Sequence, residues 1–336
     1  MTRRDAAIGG FLRGTGWAEA DATMLAGDAS NRRYLRLTRA DGARAVLMDA
    51  PPERGEDLRP FLRIAEVLSA RGFSAPRIVA ADTTQGLALL EDLGDALFAR
   101  VLERAPQHED GLYSAATDVL IELHETPPPA DLPAYDSPLM ADLAMLAFDW
   151  YAPDAAAHRA DTRATLHDLL QAHVGAAQVL ALRDYHAENL LWLPERHGIA
   201  RVGLLDFQDA MRGPRGYDLV SLTQDARRDV APGLEARMIA RYTAATGQDA
   251  AALSTACAVL GAQRNLRIIG VFARLCLRDG KPHYLRMLPR VWAHLQRDLA
   301  DPALAPLAAI LRRTLPAPDP VILQGIETRC TIVPTP

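Results

Sequence analysis

Two stretches in the second half of the chain limit how it can fold. In "ALRDYHAENLLW" (181–192) and "VGLLDFQDA" (202–210), Asp184, Asn189 and Asp206 stand at the edges of short apolar runs. Such runs, bounded by turn-forming residues, read as short buried strands with polar ends rather than as helix. Helical spacing surrounds them, at 139–149, 155–180, 232–246, 250–278 and 284–299. A helical half is thus interrupted by a non-helical block, 182–224, that puts two acids and an amide on loops facing a cleft.

The first 90 residues have another character. "YLRLT", the turn "RADG" and "ARAVLMD" predict a hairpin over 34–49, because alternation around a DG turn is a strong local β signal. Leu58, Phe61, Leu62, Ala65 and Leu68 share helical spacing in 57–72, which ends at Gly72. Residues 75–93 predict two short strands around a turn at Asp82–Gly86. After "EDLGD", 96–104 and 110–124 return to helical spacing. The expected fold class is α+β: a small antiparallel β lobe with one helix, residues 1–92, and a larger helical lobe, residues 93–336. A flexible tail is expected over 316–336, where proline and threonine are frequent. A chain of 336 residues fits two such units better than a single core.

The net charge of −5 gives no reason to expect nucleic acid or an anionic membrane as partner. No apolar stretch approaches the roughly 20 residues needed to span a bilayer, and glycines and an arginine break the apolar part of "MTRRDAAIGGFLRGTGW", so no signal peptide is expected. Cys257, Cys276 and Cys330 make neither a disulfide framework nor a CxxC pair, which fits a reducing cytoplasm. Of 37 basic residues only Lys281 is a lysine, so no GxxxxGK[ST] phosphate loop exists. The histidines form no HExxH pair, so zinc is not expected.

Asp184, Asn189 and Asp206 together suit phosphoryl transfer. That reaction needs an aligned acceptor hydroxyl and neutralised phosphate charge more than covalent chemistry. One carboxylate can orient the hydroxyl and accept its proton. A second carboxylate and a neutral oxygen can hold Mg2+, a hard ion that prefers oxygen ligands. Singly, Asp184 or Asn189 reads as an ordinary turn or cap residue; their order, after a β-rich segment, points to function.

"LRDYHAENLL…GLLDFQDAMRGPRGYDLVSL" resembles the aminoglycoside phosphotransferase family, a branch of the protein-kinase-like fold. The resemblance implies a bilobal fold, Asp184 as catalytic base, and Asn189 and Asp206 as magnesium ligands. Leu182 stands where the family's histidine is usual, and Gln208 where its glycine is expected. Asp218 matches the acid that buttresses the catalytic region, and also reads as an ordinary carboxylate at a helix N-terminus. His186, within the catalytic loop, reads equally as packing.

The same resemblance places "GDASNRRYLRL" over the phosphates of ATP, so Ser30, Asn31, Arg32 and Arg33 become nucleotide candidates. "AVLM" aligns with the strand that bears the kinase lysine, putting Met48 in its place, with Val46 against adenine and Met48 toward the phosphates. Arg32, Arg33 or Arg44, aided by Mg2+, is then expected to balance the triphosphate. Glu66 is the candidate for the usual helix carboxylate, though a solvated surface role suits it better. "LALLEDLGDALF" resembles the hinge, where the main chain near Glu91 and Leu93 would meet adenine.

"GDASNRRYLRL", "VLMDAPPE", "FDWY" and "QRNLRIIGVFARL…DGKPHYL" further resemble the family's cell-wall-recycling sugar kinases, the lost lysine included. This implies ATP-dependent phosphorylation of the anomeric hydroxyl of N-acetylmuramate, N-acetylglucosamine or both, giving α-1-phosphates. Acceptor candidates are Asp149, Trp150, Tyr151, Arg264, Asn265 and Arg267, each with a structural role as its alternative. Arginines concentrated in "QRNLRIIGVFARLCLR" favour a neutral or acidic acceptor over a polycation. A choline or antibiotic kinase and an ATP-binding pseudokinase scaffold are the competing readings. Retention of all three polar site residues speaks against a scaffold, and an aromatic content of 6% leaves little for a choline cage.

Overall fold

A computed structural model describes residues 2–27, 31–175 and 179–330. In chain order the elements begin with α1 (Arg3–Thr15), β1 (Asp21–Gly27), β2 (Arg33–Thr38), β3 (Arg44–Asp49), α2 (Arg59–Ala70), β4 (Ile78–Asp82) and β5 (Leu87–Glu91). Then come α3 (Phe98–Arg104), α4 (Glu109–Leu123), α5 (Ser137–Ala144), α6 (Arg159–His173), β6 (Val179–Ala181), β7 (Leu190–Trp192), β8 (Val202–Leu204) and β9 (Met211–Gly213). The chain closes with α7 (Tyr217–Thr223), α8 (Leu234–Thr246), α9 (Ala250–Leu277), α10 (Leu288–Asp298), α11 (Ala305–Thr314) and α12 (Pro320–Glu327). No helix among the described residues is long and apolar enough to cross a membrane.

The chain divides into two compact units, one of Met1–Pro106 with Ala187–Ala210, the other of Gln107–His186 with Met211–Pro336. This differs from the expected boundary after residue 92: the first unit takes α3 and also the β7–β8 hairpin from far along the chain.

The first unit is built on an antiparallel sheet of order β1-β2-β3-β5-β4. Leu37, Ala45, Leu47, Leu87 and Leu89 form its core with Trp17, and Ile8, Phe11 and Leu12 of α1 pack against them. Helix α1 adds to the single helix expected here. A capping box of Thr2 and Asp5 starts it, and Gly16 ends it in the left-handed conformation. Helix α2 buries Phe61, Ile64, Ala65 and Leu68, the one-sided spacing expected of an amphipathic helix.

In the second unit the helices gather on α9, which buries most of its length. Gly270 of α9 meets the main chain of Leu146 so closely that a methyl group there would lie 2.1 Å from the Leu146 carbonyl carbon. A π-helical turn, Ala147–Tyr151, follows at once. Where helix was expected through residue 180, α6 stops at His173 and β6 pairs with β9. The tail is also more regular than expected, since Asp319 caps α12 through the Ile322 N–H; residues 331–336 lie outside the described residues.

Candidate active site

In the first unit, two short strands bring distant polar residues together. Leu190 pairs with Leu204, Leu191 with Gly203 and Trp192 with Val202. The Leu205 N–H extends the ladder by donating to the Asn189 carbonyl at 2.9 Å. Asn189 and Asp206 therefore leave the same end of one hairpin, with Asn189 Nδ2 3.4 Å from Asp206 Oδ2. Asp206 has φ 56°, a left-handed conformation that Asp tolerates better than most residues. Phe207 is fully buried and stacks on Phe61, centroids 5.0 Å apart, which holds the turn in place.

Gln208 Nε2 donates to Asp206 Oδ1 at 2.7 Å, while its own Oε1 is buried with no hydrogen-bond partner among the described residues. Asn189, Asp206 and Gln208 thus bring one carboxylate and two amides together, the amides with their NH2 groups toward the carboxylate, and an amide can present its oxygen by a half-turn. This donor chemistry fits a hard divalent cation such as Mg2+. No group of three His, Cys, Asp or Glu side chains among the described residues is arranged to bind a metal.

The nucleotide candidates also fall in the first unit. Val46 is half-buried, opposite Arg36 on β2 and Leu90 on β5. Met48 is fully buried, opposite Tyr34 on β2 and Ala88 on β5. Arg33 is also committed elsewhere, since it and Arg4 of α1 both bind the buried carboxylate of Asp49. Arg32 Nε donates to Glu56 at 2.7 Å, and Asn31 donates from its main chain to the same carboxylate at 3.0 Å. Glu91 accepts from Arg196 at 2.7 Å, and Leu93 packs beside Gly203. Ser30 lies outside the described residues. Glu66 is exposed, as its surface reading has it.

In the second unit, the loop bearing Asp184 is held by its backbone. Arg183 takes φ 73°, and the Leu182 and Arg183 N–H groups donate to Asp218 at 2.6 and 2.8 Å. Ser221 donates to the Arg183 carbonyl at 3.1 Å, and Tyr185 anchors the next residue by donating to the Ala116 carbonyl at 2.8 Å. Asp218 is buried, and burial pushes its carboxyl up to about 6, opposed by the two N–H donors and reinforced by the charge of Asp184. Buried His186 lies 3.2 Å from Arg227, and burial holds its pKa well below the ordinary imidazole value.

Among the acceptor candidates, Arg267 feels the charge of Asp184. Burial works to lower its pKa, but Tyr217, Tyr135 and Asp184 outweigh burial and raise it. Its Nη1 donates to Tyr217 Oη at 3.3 Å, Tyr135 Oη lies 3.3 Å from Tyr217 Oη, and the Arg183 guanidinium sits 5.1 Å from the Tyr135 ring centroid. Arg264 and Asn265 are buried: Arg264 donates to the Gln224 carbonyl and Ser221, Asn265 to Gln224 and Asp298. Asp149 pairs with Arg159 at 3.0 Å, Trp150 is half-buried, and Tyr151 donates to the Pro316 carbonyl at 2.9 Å.

Residues 21–253 match the phosphotransferase enzyme family. The chain belongs to that family. An N-acetylmuramate/N-acetylglucosamine kinase of Caulobacter vibrioides is 40% identical, covering 94% of this chain and 98% of its own. Its namesake in Pseudomonas aeruginosa is 35% identical, covering 88% of this chain and 90% of its own. Among solved structures, a choline/ethanolamine kinase family protein of Mesorhizobium loti superposes with a TM-score of 0.64 at 14% identity, over 92% of this chain and 99% of that one. The fold of this phosphotransferase is thus protein-kinase-like.

Four residues of the phosphotransferase's two clusters were not among the candidates read from sequence. Tyr217 adjoins the noted Asp218, and Gln208 was noted only as a departure. Tyr135 sits in a proline-rich connection and Glu56 in a charged loop, where nothing local marks either.

Proposed function

We propose that this phosphotransferase moves the γ-phosphate of ATP to the anomeric hydroxyl of N-acetylmuramate and of N-acetylglucosamine, giving sugar α-1-phosphates for reuse in cell-wall synthesis. Support comes from the names borne by relatives that match nearly the full chain. The observation that carries the reading is the Arg267–Tyr217–Tyr135 hydrogen-bonded group, whose guanidinium feels the charge of Asp184. A buried guanidinium in the field of the base repels a polycationic acceptor, and it welcomes a neutral sugar or one with a carboxylate. Asp184 orients the sugar hydroxyl and takes its proton as the oxygen bonds to phosphorus. Asn189 and Asp206 would hold Mg2+, which when bound neutralises phosphate charge. Val46 and the main chain near Glu91 and Leu93 receive adenine. Asp218 keeps the Asp184 loop in its one productive shape.

ATP consumption measured against N-acetylmuramate, N-acetylglucosamine, choline and an aminoglycoside tests this. Turnover with the two amino sugars alone is expected; turnover with choline or the aminoglycoside alone refutes the acceptor, and none with any of the four refutes the reading.

A further inference from the structure

The sole lysine is Lys281, in the second unit, yet a triphosphate brings several negative charges to the first. The sequence offers Arg32, Arg33 and Arg44 as cations, and the structure separates them. Arg33 is bound to buried Asp49 together with Arg4. Arg44 is exposed at the opposite end of β3 from Asp49, and so roughly 16 Å along the strand.

Arg32 differs from both. It precedes β2 at the Asp49 end of the sheet, and Asp206 acts electrostatically on its guanidinium. Its Nε–Glu56 bond of 2.7 Å joins two side chains that are each only 11% exposed. The other oxygen of Glu56 accepts the Asn31 N–H at 3.0 Å, and Asn31 Nδ2 in turn donates to the Arg54 carbonyl at 3.1 Å. One carboxylate therefore fixes both the main chain ahead of Arg32 and one edge of its guanidinium. A guanidinium has five N–H donors in a rigid fork suited to phosphate, and holding it at Nε sets its direction.

We propose that Arg32 is the cation that binds the phosphates of ATP, and that Glu56 is its positioning residue. An Arg–Glu pair anchored ahead of β2 thereby does what a lysine on β3 does elsewhere. The proposal rests on the kinase reading. The Glu56 bond holds the Arg32 guanidinium before any nucleotide arrives, so preorganised charge acts without rearrangement.

Calorimetric titration with ATP and with adenosine, in Mg2+ and without any sugar, tests the pair. Arg32→Ala is expected to weaken ATP roughly 10- to 100-fold, the usual worth of a charge-assisted hydrogen bond, with adenosine unaffected. Arg32→Lys should recover part of the loss, and Glu56→Gln should weaken ATP by roughly threefold to tenfold while also sparing adenosine. If the unpaired Glu56 prevents folding of Arg32→Ala, the double variant Arg32→Gln/Glu56→Gln removes both charges and should show the same selective loss with a native melting curve. ATP binding at wild-type strength in a folded variant without Arg32, or equal losses for ATP and adenosine, overturns the proposal while leaving the kinase reading intact. A wild-type protein that binds no ATP overturns both.

Discussion

The carboxylate of Asp218 accepts the Arg183 N–H at 2.8 Å, one residue before Asp184. With the 2.6 Å bond from Leu182, it fixes a loop whose Arg183 has a left-handed backbone. Asp218→Asn replaces one acceptor with a donor that faces an N–H. Lowered turnover is expected, because the loop ahead of Asp184 loses one of its two anchors.

Asp218 also sets a pH signature. Its folded pKa of about 6 lies above the ordinary 3.8, so the folded state binds the proton more tightly than the unfolded chain. The associated stability is complete below about pH 4 and is lost as pH rises through 6, amounting to about 3 kcal/mol. The advantage of wild type over Asp218→Asn should therefore shrink between pH 4 and 7 in urea titrations; an advantage that grows over that range contradicts the assignment.

Asp206→Ala should leave the melting curve nearly unchanged apart from about 1 kcal/mol of strain at φ 56°. Turnover should fall roughly a hundred- to a thousandfold, and added Mg2+ should no longer tighten ADP in calorimetry. Undiminished Mg2+ dependence in this variant would place the cation elsewhere.

Arg267 should distinguish the two sugars, because N-acetylmuramate carries a lactyl carboxylate and N-acetylglucosamine does not. Arg267→Ala is expected to lower kcat/KM for N-acetylmuramate roughly 10- to 100-fold more than for N-acetylglucosamine. Equal losses for both sugars would instead assign Arg267 to the environment of Asp184.

What the sequence made legible was local. The β2–β3 hairpin and the end of α2 were readable because a DG turn and Gly72 are short-range signals. The β7–β8 strands that end at Asn189 and Asp206 were readable because apolar runs mark them. Helix α1 was not, since Gly9, Gly10 and Gly14 lower its propensity and burial against Trp17 and Leu47 compensates only in the folded unit. Its capping box, Thr2 with Asp5, was the available signal. Strand β6 was misjudged as helix because a short apolar run fits either period. Glu56 could not be found at all: it matters through Arg32, 24 residues earlier, and only tertiary structure joins them.

Asp184 carries the central claim. Turnover of N-acetylmuramate with ATP by Asp184→Asn, set beside calorimetric ATP binding, tests it most directly. Turnover lowered roughly a hundred- to ten-thousandfold with ATP binding retained is the predicted result. An unaltered rate in this variant would contradict the account.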